Sequence, residues 1–220
     1  MIGAIALCMC ISFPMGLALA ADAPVDPVQA AADAAAAAQS TGDTAFMLIC
    51  AALVLIMTPG LAFFYGGFVR SRNVLNTLMM SFILMGIVGT IWILWGYSLA
   101  FAPGSSFIGG LEWLFLNGVG LETTDYLKGT EPAAVVSYAA TIPHQTFMIY
   151  QAMFAIITPA LISGAIVERV SFKAYFWFVL IWSTVIYSII AHMVWAKGGF
   201  LGLYGGHGCP RFCWWYRRPH

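Results

Sequence analysis

The stretch YQAMFAIITPALISGAIVERVSF, residues 150–172, decides the fold of this chain. It belongs to a mostly apolar run from Phe147 to Val167 that contains no Asp, Glu, Lys or Arg and ends immediately before Glu168 and Arg169. A helix of roughly 20 mostly apolar residues is long enough to cross the hydrocarbon core of a bilayer. The run therefore predicts a transmembrane helix over residues 147–167, and we expect Glu168 and Arg169 to form a local ion pair just beyond it.

The composition of the whole chain also favours a membrane protein. Of the 220 residues, 61% are hydrophobic and 8% are charged, whereas soluble domains carry about 25% charged residues. The apolar runs are continuous, unlike the short alternating segments of a membrane β-barrel. The net charge of zero provides no basic field that would attract a nucleic acid. The sequence therefore predicts an all-α polytopic membrane protein without a nucleic-acid partner.

The chain divides into a leader region followed by apolar spans. Residues 1–20 have the apolar core and small terminal residues of a secretory signal peptide, with an additional transmembrane helix as the alternative. Residues 21–44 are rich in alanine and contain no Lys or Arg, so we interpret them as a solvated extracytoplasmic leader. The predicted spans are residues 45–69, broken at Pro59 and Gly60, and residues 74–101, 147–167 and 174–194.

Positive charges in the short loops predict the orientation of these spans. Arg70 and Arg72 follow the first span, and Arg169 and Lys173 follow the third. Because Lys and Arg concentrate in cytoplasmic loops, we expect both loops to face the cytoplasm. The N-terminus is then expected outside, with the spans in the plasma or inner membrane.

Four segments are more specific than a generic membrane helix. They are MTPGLAFFYGGFVRSRNVL at residues 57–75, WILWGYSLAF at 92–101, the stretch quoted above, and IIAHMVW at 189–195. In this order and spacing they resemble the ammonium transporter (Amt/Rh) family over residues 45–208. The resemblance implies the first four transmembrane helices of an eleven-helix fold built from two inverted repeats. The fifth helix and the second repeat are then missing from this sequence.

The first of these segments is expected to serve as scaffold. Pro59 lacks a backbone donor and is expected to bend its helix. Gly60, Gly66 and Gly67 are expected to let another helix approach closely, as small residues do in lipid.

Aromatic residues near the predicted outer ends of the spans form the candidate site. Tyr150 and Phe154 are four residues apart, hence on one helical face, and Trp195 ends the fourth span. Such rings often anchor a helix at the membrane interface; alternatively, their faces attract a small cation by about 0.5–2 kcal/mol. The resemblance implies the second role, with Tyr150 and Trp195 as an outer cage for ammonium and Phe154 as the gate beneath it. We expect packing to satisfy His192, and we assign no role to His144.

The last twelve residues, 209–220, read CPRFCWWYRRPH. The family instead continues near Leu-Asp-Phe-Ala-Gly-Gly-Thr-Val-Val-His, which supplies a buried aspartate and the first of two pore histidines. A shift of one base converts codons permitted for this tail into that segment, with Trp214 and Trp215 becoming the two glycines. We therefore expect an out-of-frame tail in which Cys209 and Cys213 form no metal site. A genuine C-terminus with a basic aromatic anchor is the alternative.

The resemblance implies transmembrane transport of ammonium or ammonia, with methylammonium as an analogue. It also implies a homotrimer in the lipid bilayer and a cytoplasmic regulatory protein as partner. Without the fifth helix and the pore histidines, this chain alone is expected not to conduct. A membrane ammonium sensor with the same fold is the alternative function. An enzyme is not expected, because the spans lack convergent acids, histidines or metal ligands, and no cofactor is predicted.

Overall fold

The computed structural model describes residues 27–121, 141–196 and 198–203. Within these residues every regular element is a helix, and the extended pairing consists of one β-bridge between Gly104 and Gly109. The chain divides into two compact units, residues 1–36 and 37–220. The predicted signal peptide at residues 1–20 and the predicted out-of-frame tail at 209–220 lie outside the described residues.

The described residues form seven α-helices, together with shorter π and 3-10 turns. Two π-helical segments, Trp92–Gly96 and Trp182–Tyr187, each connect one α-helix directly to the next. The α-helices are α1 (Pro27–Gly66), α2 (Val74–Ile91), α3 (Tyr97–Phe101), α4 (His144–Ile166), α5 (Phe172–Ile181), α6 (Ser188–Trp195) and α7 (Phe200–Leu203).

Four helical stretches of the described residues are long and apolar enough to cross a membrane. We call them the first span (Pro27–Gly66), the second span (Ser71–Phe101), the third span (His144–Ile166) and the fourth span (Phe172–Trp195). They confirm the predicted all-α polytopic membrane fold with four apolar helices.

The first span is longer and more continuous than the sequence indicates. Its helix begins at Pro27, so much of the segment interpreted as a solvated leader, residues 21–44, is helical. Alanine has the highest helix propensity, and this segment is rich in it. The helix also runs through Pro59, so the predicted break at Pro59 and Gly60 is wrong. Residues 37–66, the part within the larger unit, already exceed the roughly 20 residues that a bilayer requires.

Local sequence signals set the ends of the other spans. The second span ends at Phe101, where Ala102 adopts an extended conformation with ψ of 152°. Ala102 precedes Pro103, and a residue before proline is driven out of the helical region. The fourth span begins after Ser171, whose side-chain oxygen accepts a hydrogen bond from the backbone N–H of Ala174 at 3.4 Å. Serine is among the preferred residues for this capping position.

The second, third and fourth spans surround one buried core. Large apolar side chains remain exposed on the outer faces, for example Leu53, Phe63 and Trp177. Lipid tails are as apolar as these side chains, so a bilayer accommodates such faces. The core is formed by residues that are almost fully buried: Met80, Leu84, Val88, Trp92, Tyr97, Phe101, Ala155, Ala160, Tyr175 and Val179.

A glycine permits one close approach between helices, although not at the predicted positions. A Cβ atom on Gly164 in the third span would lie 2.3 Å from the ring of Tyr65 in the first span. The Tyr65 hydroxyl donates to the carbonyl oxygen of Leu161 at 3.1 Å. A Cβ on Gly60 would meet no atom of the described residues within 4 Å, whereas one on Gly66 would make ordinary contacts with Val74 and Leu78 of α2 from 3.6 Å outward. Among the described residues, another helix therefore packs near Gly66 but not near Gly60 or Gly67.

Hydrogen bonds identify the two ends of the bundle in the larger unit. At one end, Glu168 after the third span accepts from Arg70 and Asn73, which precede α2. We call this the basic end. At the other end, His192 near the close of the fourth span contacts one carbonyl oxygen in the last turn of the second span and one in the loop beyond it. We call this the Trp195 end, after the last residue of the fourth span.

Candidate functional site

Tyr150 and Phe154 form an aromatic pair on the third span. Their ring centroids are 5.1 Å apart, and the rings meet edge to face at 73°. Both side chains are half-buried, so part of each ring is accessible. Their spacing of four residues places them one above the other on the helix. This arrangement presents two aromatic surfaces, the chemistry that a small cation requires.

Trp195 lies at the last residue of the fourth span, with 43% of its surface exposed. No ring contact joins Trp195 to Tyr150 or Phe154 in the part of the chain that the structure describes. The structure therefore brings together two of the three predicted site residues and leaves the third as a separate exposed indole. The roles assigned to all three from the sequence stay predictions.

Trp92, which the sequence analysis did not single out, is hydrogen-bonded to the helix that carries the aromatic pair. Its indole Nε1 donates to the carbonyl oxygen of Met148, two residues before Tyr150, at 3.3 Å. Trp92 is 2% exposed and contacts Tyr97, Phe101 and Tyr187 through its ring. This hydrogen bond and these contacts fix the third span against the second near the aromatic pair.

The two π-helical segments face each other across the second and fourth spans. Trp95 in one segment donates through Nε1 to the hydroxyl oxygen of Thr184 in the other, at 3.1 Å. The rings of Trp92 and Tyr187, from the same two segments, have centroids 6.0 Å apart. π-Helical turns within α-helices occur frequently at functional sites. Here they align two spans beside the aromatic pair.

His144, to which the sequence analysis assigned no role, is fully buried at the start of the third span. Its Nε2 lies 2.7 Å from the hydroxyl of Tyr97 in the second span. Its ring also meets the indole of Trp113 at a centroid distance of 4.6 Å. Among the described residues, His144 Nδ1 has no hydrogen-bond partner. This cluster links the second and third spans at the Trp195 end. No local sequence pattern indicates it, because 47 residues separate Tyr97 from His144.

At the basic end, Glu168 bonds to a different partner from the one expected. Its Oε1 accepts from Asn73 Nδ2 at 2.8 Å and from the backbone N–H of Arg70 at 3.1 Å. No ion pair with Arg169 is recorded among the described residues, so that prediction is wrong. The backbone of Glu168 has φ of 63°, which turns the side chain toward the loop before the second span. The bond from Asn73, the N–H of Arg70 and the nearby charges of Arg70 and Arg72 lower the pKa of Glu168.

An apolar groove of about 320 Å³ is lined by residues of the first, second and third spans. Neither Tyr150 nor Phe154 is among these lining residues. Its lining includes Leu55, Met85 and Met153. Within residues 27–121, 141–196 and 198–203, no group of three His, Cys, Asp or Glu side chains could hold a metal ion. The aromatic pair and the Trp195 end therefore remain the chemically distinctive region among the described residues.

Together, the four apolar helices define a polytopic α-helical membrane protein whose third span carries the aromatic pair. The model of the Ammonium Transporter Family matches residues 45–208. The chain therefore belongs to the ammonium transporter family, which confirms the resemblance seen in the sequence.

Individual relatives agree with this assignment. The chain is 51% identical over 164 residues to the ammonium transporter of Bacillus subtilis (strain 168), covering 74% of this chain and 37% of that protein. The crystal structure of Candida albicans Mep2 has a TM-score of 0.60 and 32% identity, covering 74% of this chain and 33% of that one. A structure titled Sensor Amt Protein has a TM-score of 0.61 at 20% identity, covering 75% and 38%, and shows the shared fold alone. The chain spans about a third of the length of these relatives.

Proposed function

We propose that this chain supplies the ammonium-recruiting part of a pathway for transmembrane transport of ammonium or ammonia. The observation that carries the proposal is the match over residues 45–208 to relatives named ammonium transporters. Methylammonium serves as the experimental analogue. In this proposal the N-terminus lies outside the plasma or inner membrane, and the basic end faces the cytoplasm, as the arginines of its loops favour.

The proposed site consists of Tyr150, Trp195 and Phe154. The edge-to-face contact of Tyr150 and Phe154 supports a shared aromatic surface, and the exposure of Trp195 leaves its indole face accessible. Tyr150 and Trp195 attract the cation through their ring faces, a contribution of about 0.5–2 kcal/mol each. Phe154, one helical turn further into the span, closes the path beneath them. A bare charge in hydrocarbon is costly, so the neutral form is the species that crosses an apolar pore.

The 220 residues expressed alone are expected not to conduct. They span about a third of the relatives' length, and pathways of such transporters lie between repeats. The exposed apolar faces of the first and fourth spans are consistent with contact to further helices or lipid. A homotrimer and a cytoplasmic regulatory protein belong to the same proposal for the intact assembly.

A chimera tests the transport function directly. Residues 45–208 replace the matching segment of the Bacillus subtilis ammonium transporter, and methylammonium uptake is measured in cells that lack their own ammonium transporters. We expect saturable uptake from the chimera and none from the 220-residue chain. Trp195→Ala and Phe154→Ala in the chimera are expected to abolish saturable uptake.

Two matched variants control for the loss of an aromatic side chain. Trp177→Ala and Phe178→Ala alter exposed rings on the outer face of the fourth span, and we expect them to leave uptake unchanged. Unchanged uptake in Trp195→Ala and Phe154→Ala would remove the assigned site. A chimera that reaches the membrane but takes up no methylammonium would reject the transport role.

A membrane ammonium sensor is the second candidate, and the likeness to the structure titled Sensor Amt Protein favours it at the level of fold. Uptake separates the two functions, because a sensor requires binding but no net flux. A chimera that binds methylammonium without accumulating it would favour the sensor.

A further inference from the structure

His192 connects the fourth span to the segment that follows the second span. It is fully buried and lies three residues before Trp195. Its Nδ1 is 3.1 Å from the carbonyl oxygen of Ala100, and its Nε2 is 2.8 Å from the carbonyl oxygen of Ser105. One imidazole ring therefore contacts both the end of the second span and the loop beyond it. The expectation that packing alone satisfies His192 is incomplete, because hydrogen-bonding geometry also fixes the ring.

The contact with His192 gives the Ala100 carbonyl, at the end of α3, a neighbour outside its own helix. The last four carbonyl groups of a helix have no partner within it, and Ala100 is the second-last residue of α3. The neighbouring carbonyl of Leu99 accepts from the backbone N–H of Gly109 at 2.9 Å. A neutral imidazole has one N–H and donates to one carbonyl, whereas the imidazolium donates to two. The neutral ring is therefore held by one donated hydrogen bond and the imidazolium by two.

The segment after Trp195 is fixed from the opposite side. The N–H of Ala196 donates to the carbonyl oxygen of His192 at 3.1 Å, and Gly199 donates to Ala196 at 3.0 Å. A Cβ on Gly199 would lie 2.3 Å from the carbonyl oxygen of His192, so only glycine permits this turn. The N–H of Phe200 then donates to Ser106 at 2.8 Å. The His192 side chain before Trp195 and the Phe200 backbone after it are thus both attached to the loop at residues 105–106.

We propose that His192 is a positioning residue that sets the place and orientation of the Trp195 indole at the cation-binding mouth. The proposal rests on the proposed function, in which Trp195 receives ammonium. A cation–π contact requires the cation within about 6 Å of the ring centroid. A helix end that frays moves an exposed indole beyond that limit. His192 touches no cation in this scheme; it acts by holding the last turn of the fourth span.

The test uses the full 220-residue chain, labelled with fluorotryptophan and reconstituted in nanodiscs. Fluorine NMR reports each indole, and Trp195→Phe identifies the Trp195 resonance among the eight tryptophans. Methylammonium chloride is the titrant, with sodium chloride at equal concentration as the reference. The variants are His192→Leu, His192→Gln as the conservative rescue, and His144→Leu as the matched control. His144 is an equally buried histidine at the same end of the bundle.

In His192→Leu we expect the Trp195 resonance to shift and broaden without ligand. The Kd for methylammonium should rise about three- to tenfold, the loss of one cation–π partner. His192→Gln should restore the resonance and the Kd, because its amide reaches a carbonyl acceptor. His144→Leu should lower thermal stability but leave the Trp195 resonance in place. An unmoved Trp195 resonance in His192→Leu, or an equal change in His144→Leu, would overturn the proposal.

Gly199→Ala provides a second route if His192→Leu does not fold. The added methyl group displaces the same helix end from the other side, so the Trp195 resonance should move as in His192→Leu. Gly86→Ala is its control, because a Cβ on Gly86 would meet no atom of the described residues within 4 Å. If the unaltered chain shows no saturable methylammonium response, the proposed function fails. The ligand-free resonances still decide whether His192 positions Trp195.

Discussion

The two ends of the bundle are held together by hydrogen bonds of opposite character. At the Trp195 end the bonding side chains are buried: Tyr97, His144 and His192 have no exposed surface. At the basic end, Glu168 and Arg70 are exposed, and their bond lies in water. Buried bonds in low dielectric are strong and costly to break, whereas exposed charged contacts contribute little. The difference indicates that the Trp195 end has fixed geometry and that the basic end can rearrange at small cost.

The largest effect should come from the buried aromatic core beneath the Trp195 end. Trp92→Ala is expected to lower the free energy of unfolding by about 3–5 kcal/mol, the usual cost of removing a large buried side chain. The neighbouring Ile93 is 49% exposed. Ile93→Ala should therefore change the free energy of unfolding by less than about 0.5 kcal/mol. Denaturant titration of the reconstituted chain measures both. Similar losses in the two variants would contradict the assigned core.

A matched pair of tyrosine substitutions compares the two ends directly. Tyr97→Phe deprives buried His144 of its hydroxyl partner at 2.7 Å, which should cost about 1–3 kcal/mol. Tyr65→Phe near the basic end removes a more accessible bond to Leu161, which water can replace. Its cost should be about 0.5 kcal/mol or less. Thermal denaturation of both variants measures the two losses of stability. Equal losses would show that the hydrogen bonds at the two ends do not differ in strength.

The close approach of Gly164 and Tyr65 predicts a loss of stability of intermediate size. Gly164→Ala introduces a methyl group 2.3 Å from the Tyr65 ring, and such overpacking should cost about 1–2 kcal/mol. In a Tyr65→Ala background the same substitution should cost much less, because the opposing ring is gone. The double-mutant cycle isolates this coupling. Additive effects would show that the first and third spans do not meet at this glycine.

The smallest effect is expected at the basic end, and it should depend on pH. The pKa of Glu168 is lowered from its ordinary value of 4.5 by its bonds to Asn73 and Arg70. A lowered folded pKa contributes stability above the unfolded value and loses it as pH falls through the folded pKa. Glu168→Gln should therefore lower the unfolding temperature slightly at neutral pH and flatten its acid dependence.

Glu112→Gln is the control for Glu168→Gln. Glu112 is also exposed, and no hydrogen bond to its side chain is recorded within the described ranges. Its substitution should leave the pH profile unchanged. A profile that responds equally to both substitutions would show that the bond to Asn73 does not form in solution.

The sequence predicts the spans well, because their signal is local. Uncharged apolar runs suffice to locate three of the four helices within a few residues. The first helix begins at Pro27, well before the predicted span at residue 45, because alanine-rich sequence favours a helix in water or lipid alike. Composition therefore could not separate a solvated leader from a continuous helix beginning at Pro27.

The contacts that shape the candidate site could not be predicted, because their partners are distant in sequence. His144 and Tyr97 are 47 residues apart, and Glu168 and Asn73 are 95 apart. Gly164 resembles Gly60 in the sequence, yet only the tertiary arrangement determines which one faces a neighbouring ring. The spacing of Tyr150 and Phe154 is the exception, since a helix brings residues four apart together without any other element.

The π-helical segment Trp182–Tyr187 determines the direction in which the Trp195 side chain projects from the helix axis. An α-helix advances by about 100° per residue, so one residue fewer in that segment would rotate everything beyond it by roughly a quarter of a circle. The indole would then point to a different neighbour although every side chain of α6 were retained. Spacing along the chain in this region is therefore as much a part of the proposed recognition surface as the identity of the rings.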